Sequence, residues 1–126
     1  MDERLVPDGH VAVAVDTLAL LASASRLRIV HALLHESPLA VSELAELADL
    51  SLSATSQHLN RMRRAGVLKA TKDGVNVRYE LADRHFARLA DAAFWYAEHL
   101  AESAHHDGHQ HRPDAPTDAA PSASPG

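Results

Sequence analysis

Residues 41–68 read VSELAELADLSLSATSQHLNRMRRAGVL, and the fold follows from them. A short helix is expected from about Ser42 to Ala48 with Leu44 and Leu47 pointing inward, then a turn at Asp49-Leu50-Ser51, then a longer helix from Ser53 to Ala65. The longer helix divides by face. Leu52, Thr55, Leu59 and Met62 recur at three- and four-residue spacing as an inner stripe, while Ser53, Ser56, Gln57, Asn60, Arg61 and Arg64 occupy the other side. Two short helices joined by a tight turn, the second presenting Ser, Gln, Asn and Arg, make a helix-turn-helix pattern.

Downstream, Gly66 closes the helix as a C-cap. Val67 to Thr71 and Val75 to Leu81 alternate apolar and polar residues around Asp73-Gly74, which predicts a β-hairpin. Lys69, Lys72 and Arg78 make that hairpin a basic wing. Upstream, Ser25 is expected to cap a helix running through His35, with Leu27, Val30 and Leu34 on its inner face and Ser37-Pro38 ending it. His31 and His35 are four apart on this helix and read as surface or packing residues. Before it, Val11 to Ala22 forms a first helix that is apolar on most sides and so requires a partner. The fold class is mainly α with a β-hairpin wing, a winged helix-turn-helix.

The formal net charge of −5 argues against a nucleic-acid binder until its distribution is considered. Half of the twelve Lys and Arg residues lie between Ser53 and Arg78, where Asp73 is the only acid. Local charge is what a phosphate backbone meets. From Ser51 through Ala65 there is no acid at all, whereas an ordinary solvated face would carry Glu. Side chains able to pair with base edges or phosphates are Ser53, Thr55, Ser56, Gln57, Asn60, Arg61 and Arg64 on the helix, with Lys72 and Arg78 on the wing.

No apolar run approaches the ~20 residues of a membrane span, and MDERLVPDGH has acids where a secretory signal needs a basic start. A cytoplasmic chain is expected. Cysteine is absent, so disulfides, thiol chemistry and thiolate metal sites are excluded. With no glycine-rich phosphate loop, no G-x-S-x-G and no H-E-x-x-H, an enzyme is not expected.

Residues 83–112, DRHFARLADAAFWYAEHLAESAHHDGHQHR, hold six of the ten histidines. Asp83 is a plausible N-cap, and Phe86, Leu89, Ala93, Tyr96 and Leu100 recur at helical spacing, so one helix is read to about Ser103. On it His85 and His99 are about 40° apart around the axis but roughly 21 Å apart along it, so one chain cannot bring both to one ion. Two such helices packed antiparallel about a two-fold axis near Ala92 would bring His85 of one chain to face His99 of the other, with Ala90, Ala92 and Ala93 permitting close approach. The expectation is a homodimer through its terminal helices. Each of two intersubunit sites would take Asp83 and His85 from one chain and Glu98 and His99 from its partner. The last fifteen residues cannot build a core. The expected domains are a flexible arm at 1–9, a winged-helix and dimerisation domain at 10–104, and a disordered tail at 105–126.

The sequence resembles the ArsR/SmtB family of winged-helix metal-responsive repressors. The likeness rests on LASASRLRIVHAL, on residues 41–68 and on DGVNVRYEL, and covers about Leu18 to Leu100. It implies a homodimer that binds operator DNA when metal-free and is released by the inducing metal. Where cysteine-bearing members carry their thiolates, this chain reads Val41-Ser42-Glu43-Leu44. Zinc sensors of the family add a histidine at the position of Tyr96. DAAFWYAEHL followed by a His-rich tail is more similar to actinobacterial nickel/cobalt sensors, whose ligands fall here on His85, Glu98, His99, His105 and His106. His109, His111 and His10 are further candidates. Five or six N/O ligands suit octahedral Ni²⁺ or Co²⁺ better than tetrahedral Zn²⁺. A Zn²⁺-responsive repressor, a His-rich metal-storage or delivery protein, and a winged-helix regulator without metal response are the alternatives.

Overall fold

The structure, a computed structural model, describes residues 5–110, with side chains given for residues 5–104. Residues 1–4 of the expected arm and residues 111–126 of the expected tail, among them the candidate ligand His111, lie outside the described residues. The elements are α1 (Asp8–Leu21), α2 (Ala24–His35), β1 (Leu39–Ala40), α3 (Val41–Ala48), α4 (Leu52–Arg64), β2 (Leu68–Asp73), β3 (Asn76–Leu81) and α5 (Arg84–Gln110). Two compact units divide at Asp91/Ala92, inside α5.

The first unit is built around α4. Its start is capped by Ser51, whose side chain accepts from the Ala54 N–H at 3.0 Å; Gly66, in the left-handed region at φ 84°, follows its end. Thr55, Leu59 and Met62 are fully buried. Leu59 and Met62 share one cluster with Ile29 and Val30 of α2, Leu44 of α3 and Leu68 of β2. Leu52 departs from the expected stripe. It is exposed, because it opens the helix and has no preceding turn to shelter it.

Packing shifts two other faces. In α3, Leu44 is buried as expected, but Leu47 is exposed, and Ala45 and Ala48 are buried instead. The helix has approached the core on its small residues. In α2 the buried set is Arg26, Ile29, Val30 and Leu33, so the inner face is turned from the expected Leu27, Val30 and Leu34, leaving Leu27 and Leu34 only partly buried. The N-cap of α2 is Ser23, which accepts from the Arg26 N–H at 3.2 Å, not Ser25. His31 and His35 are exposed, their rings 4.3 Å apart.

The wing is an antiparallel hairpin running in register from Leu68↔Leu81 to Asp73↔Asn76. Its tip is therefore Gly74-Val75, one residue later than expected, and Gly74 takes the positive φ of 66° that this turn requires. A two-residue strand not expected from the sequence, β1, adds to β3 through Leu39↔Tyr79 and Ala40↔Arg78, giving the order β1-β3-β2.

The terminal helices differ from the reading in extent. Asp8, Gly9 and His10 are in α1, so the helix takes the end of the expected arm. α5 continues past Ser103 to Gln110. No proline interrupts it before Pro113, and Gly108 alone costs only about 1 kcal/mol in a helix. Val11, Val13, Val15 and Leu18 of α1 are all exposed, as expected of a helix apolar on most sides.

These placements separate two leucines of similar sequence character. Leu59→Ala should cost about 3 kcal/mol, the usual range for a buried leucine, and Leu47→Ala less than about 0.5 kcal/mol. Urea denaturation of both variants checks the ranking; equal losses would restore Leu47 to the core.

Candidate functional site

On α4, the six side chains Ser53, Ser56, Gln57, Asn60, Arg61 and Arg64 span an arc of about 140°, and all are exposed. This arc is opposite the buried stripe, so a surface that docks it need not disturb the core. Thr55 is a correction. Counted among the nucleic-acid candidates, it is fully buried, and its hydroxyl donates to the Ser51 carbonyl at 2.8 Å. Its place on the inner stripe excludes it from the outer arc.

On the wing, Lys72 is exposed, but Arg78 is already engaged. Its Nε donates to Asp73 Oδ2 at 2.9 Å and one terminal nitrogen lies 3.4 Å from Glu43 Oε1. The same Glu43 oxygen accepts the Ala40 N–H at 2.8 Å, so one carboxylate secures the start of α3 and reaches the wing. Lys69 lies 3.6 Å from Glu80. The positive surface left for phosphates is therefore weighted toward Arg61, Arg63, Arg64 and Lys72 rather than Arg78.

Sequence reading missed a buried cation behind this face. Arg26 is 8% exposed. Its Nε donates to the Leu20 carbonyl at 2.6 Å, and a terminal nitrogen lies 3.4 Å from the Ala19 carbonyl. These carbonyls belong to the last turn of α1, which carries the negative end of the helix dipole, and the Ala19 oxygen also accepts from the Ala22 N–H at 3.2 Å. The other terminal nitrogen lies 3.4 Å from His58 Nδ1 on α4. Among the described residues no carboxylate meets Arg26. Burial, then Arg26, then Arg61 hold the His58 imidazole below its ordinary histidine value, so His58 is a neutral acceptor toward Arg26. The signal was an arginine at an inner position of α2, in step with Ile29, Val30 and Leu33.

The residues read as metal ligands fall in the two separate units. In the first, Asp83 caps α5, its Oδ1 accepting from the N–H groups of His85 at 2.6 Å and Phe86 at 3.1 Å. Those two bonds, that of Phe86 foremost, hold its carboxyl below the usual range. His85 Nδ1 is 3.4 Å from the same oxygen. In the second unit, Trp95 stacks on His99 with ring centroids 6.0 Å apart and planes 8° from parallel. A recess of about 170 Å³ is lined by Trp95, Glu98, His99 and Glu102. Glu102 was not a sequence candidate; its spacing of four from Glu98 was the available signal. Ala90, expected to permit helix approach, is fully buried in its own chain, while Trp95, Tyr96 and Leu100 are exposed. His105, His106 and His109 lie on the final turns of α5, with side chains outside those described, and His10 is exposed on α1. Among the described residues no three His, Asp or Glu side chains converge within one chain, and no helix is long and apolar enough to cross a membrane. The donor set is imidazole and carboxylate, which fits Ni²⁺, Co²⁺ or Zn²⁺.

Residues 23–70 match the family model described as bacterial regulatory protein, arsR family. The HTH-type transcriptional regulator NmtR of Mycobacterium tuberculosis is 38% identical over 94 residues, 74% of this chain and 78% of that protein. The cadmium resistance transcriptional regulatory protein CadC of Listeria innocua is 36% identical over 81 residues, 64% of this chain and 68% of that one. Among solved structures, the crystal structure of the AntR antimony-specific transcriptional repressor superposes with a TM-score of 0.74 at 26% identity, covering 81% of this chain and 92% of that one.

The depressed His58 value fixes a sign for acid stability. The folded state holds fewer protons on this group than the unfolded chain, so its contribution is present above the unfolded value of 6.5 and is lost as pH falls through the lower folded value. Urea midpoints of wild type and His58→Asn, compared from about pH 7.5 to 5.5 across the ordinary histidine range, should show wild type losing more. Parallel curves would mean that His58 does not titrate differently in the fold.

Proposed function

We propose, from the premise that the chain belongs to the bacterial arsR regulatory family, that it is a repressor binding operator DNA as a homodimer and released by Ni²⁺ or Co²⁺. It is a transcriptional regulator of that family, not an enzyme. The observation that carries the DNA part is the exposed, acid-free arc of α4. Asn60, Gln57 and Arg61 have the donors and acceptors to read base edges in a major groove, and Ser53, Ser56 and Arg64 suit the flanking phosphates. Lys72 extends the positive surface onto the wing, and Arg78 joins it only by exchanging its carboxylate partners for phosphate.

The dimer is proposed to form through α1 and α5. Its support is the apolar surface that each helix leaves open by itself: Val11, Val13, Val15 and Leu18 on α1, and Trp95, Tyr96 and Leu100 on α5. Burying a side chain of this kind is worth about 1.5–3 kcal/mol. The proposed domain limits are residues 1–9, 10–104 and 105–126, with α1 crossing the first boundary and α5 the second.

The residues proposed to hold the metal are Asp83 and His85 of one chain with Glu98 and His99 of its partner, joined by His105 and His106. The ion would supply a cross-link between the two last helices. Asp83 can serve through Oδ2 while Oδ1 keeps its capping bonds, and the stacked Trp95 restricts the His99 ring. The likeness to a cadmium resistance regulator does not bring cadmium here, since the chain has no cysteine to offer a soft thiolate. Tyr96, standing where zinc sensors of the family have a histidine, favours Ni²⁺ or Co²⁺ over Zn²⁺. A family of this kind works on chromosomal DNA, so a cytoplasmic location is proposed.

Fluorescence anisotropy on DNA from upstream of the chain's own gene, at fixed ionic strength, tests the reading. Ni²⁺ and Co²⁺ should weaken binding by about 5- to 150-fold, the usual range of coupling between sites, and Zn²⁺ by less. His85→Ala and His99→Ala should bind DNA as wild type does and lose the release. Release by Zn²⁺ alone would transfer the function to a zinc sensor; DNA binding indifferent to all three ions would end the sensor reading, and no DNA binding would leave metal storage or delivery.

A further inference from the structure

Arg26 is costly to bury, and its three partners belong to two helices, α1 and α4, that share the core cluster through Leu20, Leu21, Leu59 and Met62. Between α1 and the later part of α4 runs an open groove of about 420 Å³, with Val13, Asp16 and Leu20 on the α1 side and Arg61 and Ala65 on the α4 side. Arg26 reaches both. Through Nε and one terminal nitrogen it holds the Leu20 and Ala19 carbonyls at the end of α1, and through the other it meets His58 in the middle of α4. A buried cation without a carboxylate is retained only where its hydrogen bonds compensate for lost water, and here those bonds specify the relative position of two helices.

We propose that Arg26 is a positioning residue for DNA recognition, fixing α4 through His58 against the end of α1, the helix on which the chain dimerises. The proposal rests on the dimeric-repressor reading above. A two-fold dimer engages successive half-sites only if its two recognition helices lie about 34–36 Å apart, and that spacing depends on how firmly each α4 is attached to its own dimer helix. His58 sits at the edge of the outer arc without belonging to it. It is half-buried, so its contact sets where the arc is carried rather than what the arc touches. Arg26 suits the task because a planar fork can serve two carbonyls and a ring nitrogen at once, which an ammonium cannot.

The test compares the affinity of the full-length, metal-free protein for a duplex carrying both half-sites with that for a duplex carrying one. Three variants are used, with a thermal melt of each. His58→Leu removes the acceptor, His58→Asn restores one near the Nδ1 position, and Arg26→Lys keeps the charge without the fork. His58→Leu and Arg26→Lys should lose about fivefold or more on the two-site duplex, the lower end of ordinary coupling, with one-site affinity within about twofold of wild type. His58→Asn should recover most of the loss. A purely structural contact would lower the melting temperature and leave the two-site to one-site ratio intact, and that result overturns the proposal. An equal loss on both duplexes overturns it too, because His58 would then act at the DNA surface itself. If wild type shows no preference for the two-site duplex, the dimeric-repressor reading fails first and this proposal with it. Arg26→Lys decides the matter if His58→Leu does not fold.

Discussion

The structure depends on α4 committing one whole face to the core. Leu59 and Met62, with the Thr55 hydroxyl returned to the backbone of Ser51, leave that helix no freedom to rotate, because any turn about its axis would bring a guanidinium or an amide inward without a partner. The opposite arc can then be entirely polar without loss of stability. α2, α3 and the wing contribute Ile29, Val30, Leu44 and Leu68 to the same cluster, so they are supports of one helix as much as elements in their own right. The surface proposed for DNA is thereby presented in a fixed orientation before any partner arrives, which would limit the ordering entropy lost on binding.

The same economy leaves too little interior for the terminal helices. Of α1, only Leu20 and Leu21 are buried, and α5 gives Phe86 and Ala90 to the first unit while its aromatic pair Trp95 and Tyr96 stays in water. A domain of this size is marginal by itself. The proposed dimer would convert that surplus apolar surface into stability, and it would make stability, oligomeric state and metal response functions of the same two helices.

How much could be read beforehand depended on how many neighbours decide a residue's position. α4 was legible because its stripe and its acid-free arc are both long enough to have a period. The hairpin was legible to within one residue, since Asp73-Gly74-Val75-Asn76 allows a tip at either of two places and pairing between β2 and β3 selects one. Eight residues of α3 are too few for a period to choose between Leu47 and the pair Ala45 and Ala48. β1 is two residues long and exists only because β3 has an open edge. Arg26 was illegible for a different reason. Arginine is a surface residue by habit, and only the end of α1 and the ring of His58, brought together by the fold, make its burial tolerable. The ligand set Asp83, His85, Glu98 and His99 was proposed from helix arithmetic, and a single chain carries only its halves.

Glu43 joins the start of α3 to the wing through Arg78, and both partners of that ion pair are substantially open to solvent. Dissolved ions weaken such a pair just as they compete for phosphates. Ionic strength thus acts on this molecule twice, once at the surface proposed for DNA and once on an ion pair between α3 and the wing. A count of neutralised phosphates taken from salt dependence alone would then include a contribution from the protein's own ion pair.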